Sequence, residues 1–135
     1  MITEDYVSFE TAKLLKKKGF DEYYPLWYNL DKPTEGPFFY KEIGWHGHNS
    51  YDYNGKRIVS APTLQMAMKW LREVHNLCIE PYRTACGYLY TISTIPYGSC
   101  KCNPKVGGDD EDSGQWTTYE GACESAINYC LTNLI

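Results

Sequence analysis

The chain has 135 residues, a usual size for one domain, and 16% of them are aromatic, including 13 Tyr and 4 Trp. A domain of this length buries roughly two-thirds of its unfolded surface and needs neither metal nor disulfide to fold. The formal net charge of −4 argues against a general affinity for DNA or RNA, which rests on a basic field. No apolar run approaches the ~18 residues of a membrane span. The first ten residues, MITEDYVSFE, are acidic and lack the apolar stretch of a signal peptide, so a cytoplasmic location is expected.

The first helix is expected to start after Ser8, an N-cap residue, with Glu10 in its first turn. Lys16, Lys17 and Lys18 close it at the negative end of the dipole. Gly19 is the expected C′ residue, with Phe20 folding back as its apolar partner. The run is too short to make a phosphate-binding patch on an acidic chain.

Aromatic residues from Tyr23 to Leu30 predict a strand, which Pro25 confines to an edge or a strand start. The stretch 31–37, DKPTEGP, reads as a turn-rich connection, and 38–45, FFYKEIGW, as a second strand. Asn54-Gly55 sits between Tyr51-Asp52-Tyr53 and Lys56 to Val59, the pattern of a two-residue hairpin.

The clearest amphipathic helix is predicted over Ala61 to Cys78. Leu64, Ala67, Met68, Leu71, Val74 and Cys78 recur at spacings of three and four, and Met66, Trp70 and Leu77 widen the stripe. Pro62 suits its first turn, and its end is expected near Asn76. Ile79 to Tyr82 begins an extended segment interrupted by Pro81. Residues 85–95, ACGYLYTISTI, form the best predicted strand, with Cys86, Tyr88, Tyr90 and Ile92 on one face and Gly87, Leu89, Thr91 and Ser93 on the other. Pro96 to Gly114 is expected to be a long mobile loop or an elaborated hairpin connection, after which Gln115 and Trp116 resume a short strand.

Thr118 is the expected cap of a final helix whose buried stripe is Tyr119, Ala122, Cys123, Ala126, Ile127, Cys130 and Leu134. The order of elements fits one α+β domain over residues 1–135, with three helices packed on a small, mainly antiparallel sheet.

Three blocks, YVSFETAKLLKKKGFDE, APTLQMAMKWLREVHN and TYEGACESAINYCLTNLI, cover a little over a third of the chain and coincide with the three helices. They resemble a set of small uncharacterised proteins from gut bacteria of the Bacteroides type and their phages. The resemblance implies a phage or prophage accessory protein and carries no activity or catalytic residue. Members of that set more often have Glu where this chain has Gly121.

Among chemistry-bearing residues, His46 and His48 flank Gly47, and Cys100 and Cys102 flank Lys101. Four such side chains could close a tetrahedral zinc site, although structural sites usually separate paired cysteines by two to four residues. The acidic run Asp109 to Asp112 lacks the alternating donors of a calcium loop. A cysteine nucleophile would need a base such as His75, His46 or His48 within hydrogen-bonding reach. No Gly-rich phosphate loop, metalloprotease helix motif or serine elbow is present, and Gly107-Gly108 precedes acidic residues. Cys78, Cys86, Cys123 and Cys130 complete the six cysteines, expected as thiols in a reducing compartment.

Trp27, Tyr28, Phe38, Phe39, Tyr40, Trp45, Tyr51 and Tyr53 crowd the first half. More aromatics than one sheet face can bury would leave some for protein contact. The leading expectation is therefore a non-enzymatic protein-interaction module that uses no cofactor and has a protein partner, with Trp27 and Tyr28 in its interface. The alternative is a small metal- or ligand-binding domain built on the His46/His48 and Cys100/Cys102 segments.

Overall fold

The computed structural model describes residues 1–22, 26–39, 57–103 and 116–135. The chain is α+β, with three α-helices and antiparallel strands among the described residues, as the sequence pattern predicts. The strands fall into two three-stranded sheets, and the chain divides into two compact units, Met1–Thr63 and Leu64–Ile135.

In the first unit, α1 spans Phe9–Lys17. Ser8 caps it: its side chain accepts from the Thr11 backbone N–H at 3.2 Å. The other end is a Schellman motif. Gly19 has φ +97°, its N–H donates to Lys16 O at 3.1 Å, and Phe20 N–H donates to Leu15 O at 2.9 Å. Phe20 thereby turns back and is buried, which contributes about 2–3 kcal/mol of apolar transfer energy. Lys16 is drawn away from solvent, since its ammonium donates to the Ile58 carbonyl at 3.0 Å. One member of the lysine run is thus a structural donor.

Strands β1 (Leu26–Asn29), β2 (Phe38–Phe39) and β3 (Ile58–Ser60) pair antiparallel in the order β2-β1-β3. β1 is the described part of the strand expected from Tyr23 to Leu30, and the placement expected of Pro25 lies outside the described residues. β1 is the central strand of its sheet, and all four of its residues are buried. After β1, Asn29 Oδ1 accepts from the Asp31 N–H at 2.9 Å, an Asx turn that opens the predicted connection. Arg57 pairs with Asp31 in the open, and its guanidinium holds that carboxyl below its usual range. The expected hairpin through Asn54-Gly55 lies outside the described residues, as does the expected strand beyond Phe39.

The helix predicted from Ala61 starts later, and the reason is non-local. Ala61 N–H donates to Leu26 O at 2.9 Å, Pro62 O accepts from Val7 N–H at 3.0 Å, and Tyr6 bridges Thr63. Residues 61–63 are thus held as extended backbone, and α2 runs over Leu64–His75.

The second unit opens with α2. It ends where Asn76 enters the left-handed region, φ +55°, a conformation that asparagine tolerates at helix C-termini. Strand β4 (Leu77–Arg83) follows at once, so Leu77 and Cys78 belong to the strand and not to the helical stripe. Leu64, Ala67, Met68, Trp70 and Leu71 are buried as expected. Met66, 36% exposed, is an exception, and so is Val74, 52% exposed. In the last turn, His75 turns inward in its place, its ring against Trp70 at 4.7 Å and 73°.

β4 pairs antiparallel with β5 (Tyr88–Thr94) along its whole length, and β5 with β6 (Cys100–Cys102), in the order β4-β5-β6. Pro81 sits on the outer strand, where a missing N–H is tolerated. Leu77, Ile79, Tyr90 and Ile92 are buried on the face covered by α2 and α3. The predicted strand starts at Tyr88, because Thr84 to Gly87 is a turn closed by Thr84 N–H to Gly87 O at 2.8 Å. Cys86 is therefore exposed at that turn and not on the strand face. Trp116 makes a single antiparallel bridge with Tyr88, which is the short resumption expected there.

Helix α3 spans Tyr119–Tyr129 and continues as a π-helical segment over Cys130–Leu134. Thr118 caps it, accepting from Gly121 N–H at 2.9 Å. Ala122, Cys123, Ala126, Ile127, Cys130 and Leu131 are buried. Leu131, four residues after Ile127 and so on the same face, is fully inside, while Leu134, expected in the stripe, is half-buried.

Gly121 occupies the N3 position of α3, where Glu would complete a capping box with Thr118. A Cβ there would lie 3.0 Å from Thr118 Oγ1, so the hydroxyl must give by a few tenths of an ångström. Thr118 is exposed and can do so. Gly121→Glu is expected to stabilise the protein by about 1 kcal/mol, combining helix propensity with a second satisfied N-terminal donor. Urea midpoints of the two proteins check this; a lower midpoint for the variant would mean that the tight contact dominates.

Candidate functional site

The most outward-facing apolar feature among the described residues of the second unit is the β5–β6 turn. It forms because Thr94 ties both ends together. Thr94 N–H donates to Ser99 O at 2.9 Å, Gly98 N–H donates to Thr94 O at 2.8 Å, and Ser99 N–H donates to Thr94 Oγ1 at 3.0 Å. Gly98 supplies the positive φ, +71°, that the turn requires. Ile95 N–H donates to Asn76 O at 2.9 Å, which fixes the base of the turn beside the end of α2. Tyr97 stands at the tip with 90% of its surface exposed, and Ile95 is 39% exposed below it. A large aromatic group is thus presented on a hydrogen-bonded frame, which lowers the ordering cost of a contact. The stretch from Pro96, expected as a long mobile loop or an elaborated hairpin connection, thus opens as a hairpin turn into β6. The signal that marks it is Tyr-Gly inside Thr94-to-Ser99, two hydroxyl residues able to staple a short turn.

Trp27 and Tyr28, expected at an interface, are core residues instead. They are 5% and 8% exposed, respectively. Tyr28 Oη donates to Val7 O at 2.8 Å, and its ring meets Phe9 edge-on at 5.7 Å. Trp27 packs against Phe38 at 5.1 Å. The physical reason is side-chain packing: Tyr28 is covered by Phe9 of α1 and tied to Val7, and Trp27 is covered by Phe38. Tyr40, Trp45, Tyr51 and Tyr53 lie outside the described residues.

The metal reading depends on Cys100 and Cys102 pointing the same way, as residues two apart on a regular strand do. β6 is not regular. Cys102 pairs with Ile92 and Cys100 with Ser93, so Lys101 is the extra residue of a bulge. Ile92 and Ser93 face opposite sides of the sheet, and so do the two cysteines. Cys100 is exposed, whereas Cys102 is half-buried on the helix-covered side. The pair therefore does not make half of a four-ligand site. His46, His48 and the acidic run 109–112 lie outside the described residues. Among the described residues, no three His, Cys, Asp or Glu side chains converge as metal ligands would.

Tyr90, Cys102 and Cys130 form a polar island between the second sheet and α3. Burial pushes Tyr90 well above the usual phenol range, reinforced by Cys102, Cys130 and Tyr129 around it. Cys130 is fully buried and its thiol is pushed up to about 12, chiefly by desolvation and further by Cys102. Cys123, about two turns earlier, is pushed up to about 11 by burial, against a lowering hydrogen bond from Tyr119. Thiolate is the nucleophilic and metal-binding form, so neither helix cysteine has that chemistry near neutral pH. His75 offers no base to a thiol: its Nε2 is buried and makes no hydrogen bond among the described residues.

A thiol reagent separates these classes. At pH 8 the exposed Cys86 and Cys100 are expected to react first. Cys123 and Cys130 are expected to react only after denaturant is added, measured by quantifying modified peptides by mass spectrometry. Modification of Cys130 in the folded protein at the rate of Cys86 would contradict its burial.

Among the described residues, no helix is long and apolar enough to cross a membrane. No protein-family model matches the chain, and neither a curated protein nor a solved structure shows significant similarity to it.

Proposed function

We propose that this protein is a non-enzymatic protein-interaction module, a phage or prophage accessory factor that engages a protein partner through the tip of the β5–β6 hairpin. The observation that carries this reading is Tyr97, almost wholly exposed on a turn fixed by backbone and Thr94 hydrogen bonds. Tyr is enriched among residues that dominate binding energy, because its large rigid surface and hydroxyl can both be used. The buried, protonated thiols support the non-enzymatic part of the reading. The resemblance of the three helical blocks supports the phage or prophage setting.

The test is affinity capture from the lysate of a Bacteroides-type host. Tyr97→Ala leaves no cavity, so its denaturation midpoint should match the parent within about 0.5 kcal/mol. A partner held by the tip should be enriched by the parent and by Tyr97→Phe, and fall by about 30-fold in affinity with Tyr97→Ala. Equal recovery by parent and Tyr97→Ala would place the interface elsewhere.

A further inference from the structure

We draw no further inference here: the strongest candidate, the cluster of Tyr90, Cys102 and Cys130 between the second sheet and the C-terminal helix, carries no redox or ligand site because only the rise that Cys102 adds to the titration of Tyr90 and Cys130 places its two thiols together.

Discussion

Trp27→Ala is expected to cost about 3–5 kcal/mol of stability, the range for removing a large aromatic side chain from a core. Trp27 is on the central strand of its sheet, 5% exposed and packed on Phe38. Domains of this kind are stable by only about 5–15 kcal/mol, so the variant should be partly unfolded or close to it at 37 °C. Tyr28→Phe is the milder companion. It keeps the ring against Phe9 and removes only the hydroxyl that donates to Val7 O. That change leaves a buried carbonyl with one donor fewer, a loss of about 1–2 kcal/mol. Urea denaturation followed by tryptophan fluorescence and circular dichroism measures both. A Trp27→Ala protein within 1 kcal/mol of the parent would return Trp27 to the list of surface contacts. The consequence for function is direct: loss of binding by a Trp27 or Tyr28 variant reports unfolding, whereas loss by a Tyr97 variant reports the contact.

The same residues show what the sequence could carry. Helix ends are encoded within one turn of chain, and they were legible: Ser8 and Thr118 as caps, Gly19 with Phe20 as a Schellman pair. The buried stripe of α2 was legible from its period, as far as Leu71. Beyond that, the pattern was misleading, because Leu77 and Cys78 fall at helical spacing by coincidence while the backbone has already turned at Asn76. Non-local pairing explains most of the remaining differences. Residues 61–63 are extended because Leu26 and Val7 bond to them, and β1 is central because β2 and β3 flank it. Neither fact has a signature in the local sequence. The candidate site follows the same rule. The Cys100–Lys101–Cys102 spacing suggested one shared face, but a single bulge residue, visible only in the register with β5, reverses it. The staple around Tyr97 was present in the sequence as Thr94 and Ser99, masked by a Pro- and Gly-rich composition that reads as loop.

Stability is expected to fall steeply as the pH rises above about 9, with Cys130 and Cys123 contributing alike until Cys123 titrates at about 11. An ordinary thiol titrates near 9.0, whereas Cys130 in the folded protein does so near 12 and Cys123 near 11. Below about pH 9 both thiols are protonated whether the chain is folded or not, so the full stability is present. Above it the unfolded chain releases these protons and the folded one retains them. The folded state then binds more protons, and stability declines by about 1.4 kcal/mol per pH unit for each such thiol. The decline continues until the folded pKa is reached, a total of about 4 kcal/mol for Cys130 and about 3 kcal/mol for Cys123. Tyr90, also raised, acts in the same direction above its ordinary value of 10.0. Cys130→Ala removes one of these linked protons at a cost of about 1 kcal/mol in lost apolar burial. Denaturant-derived stabilities from pH 7 to 11 should therefore run below the parent at neutral pH, then converge with it and cross it as the parent declines faster. Parallel curves for the two proteins would show that Cys130 ionises freely in the folded state. A thiol that ionises freely there would be accessible to the nucleophilic and metal chemistry that its burial now withholds.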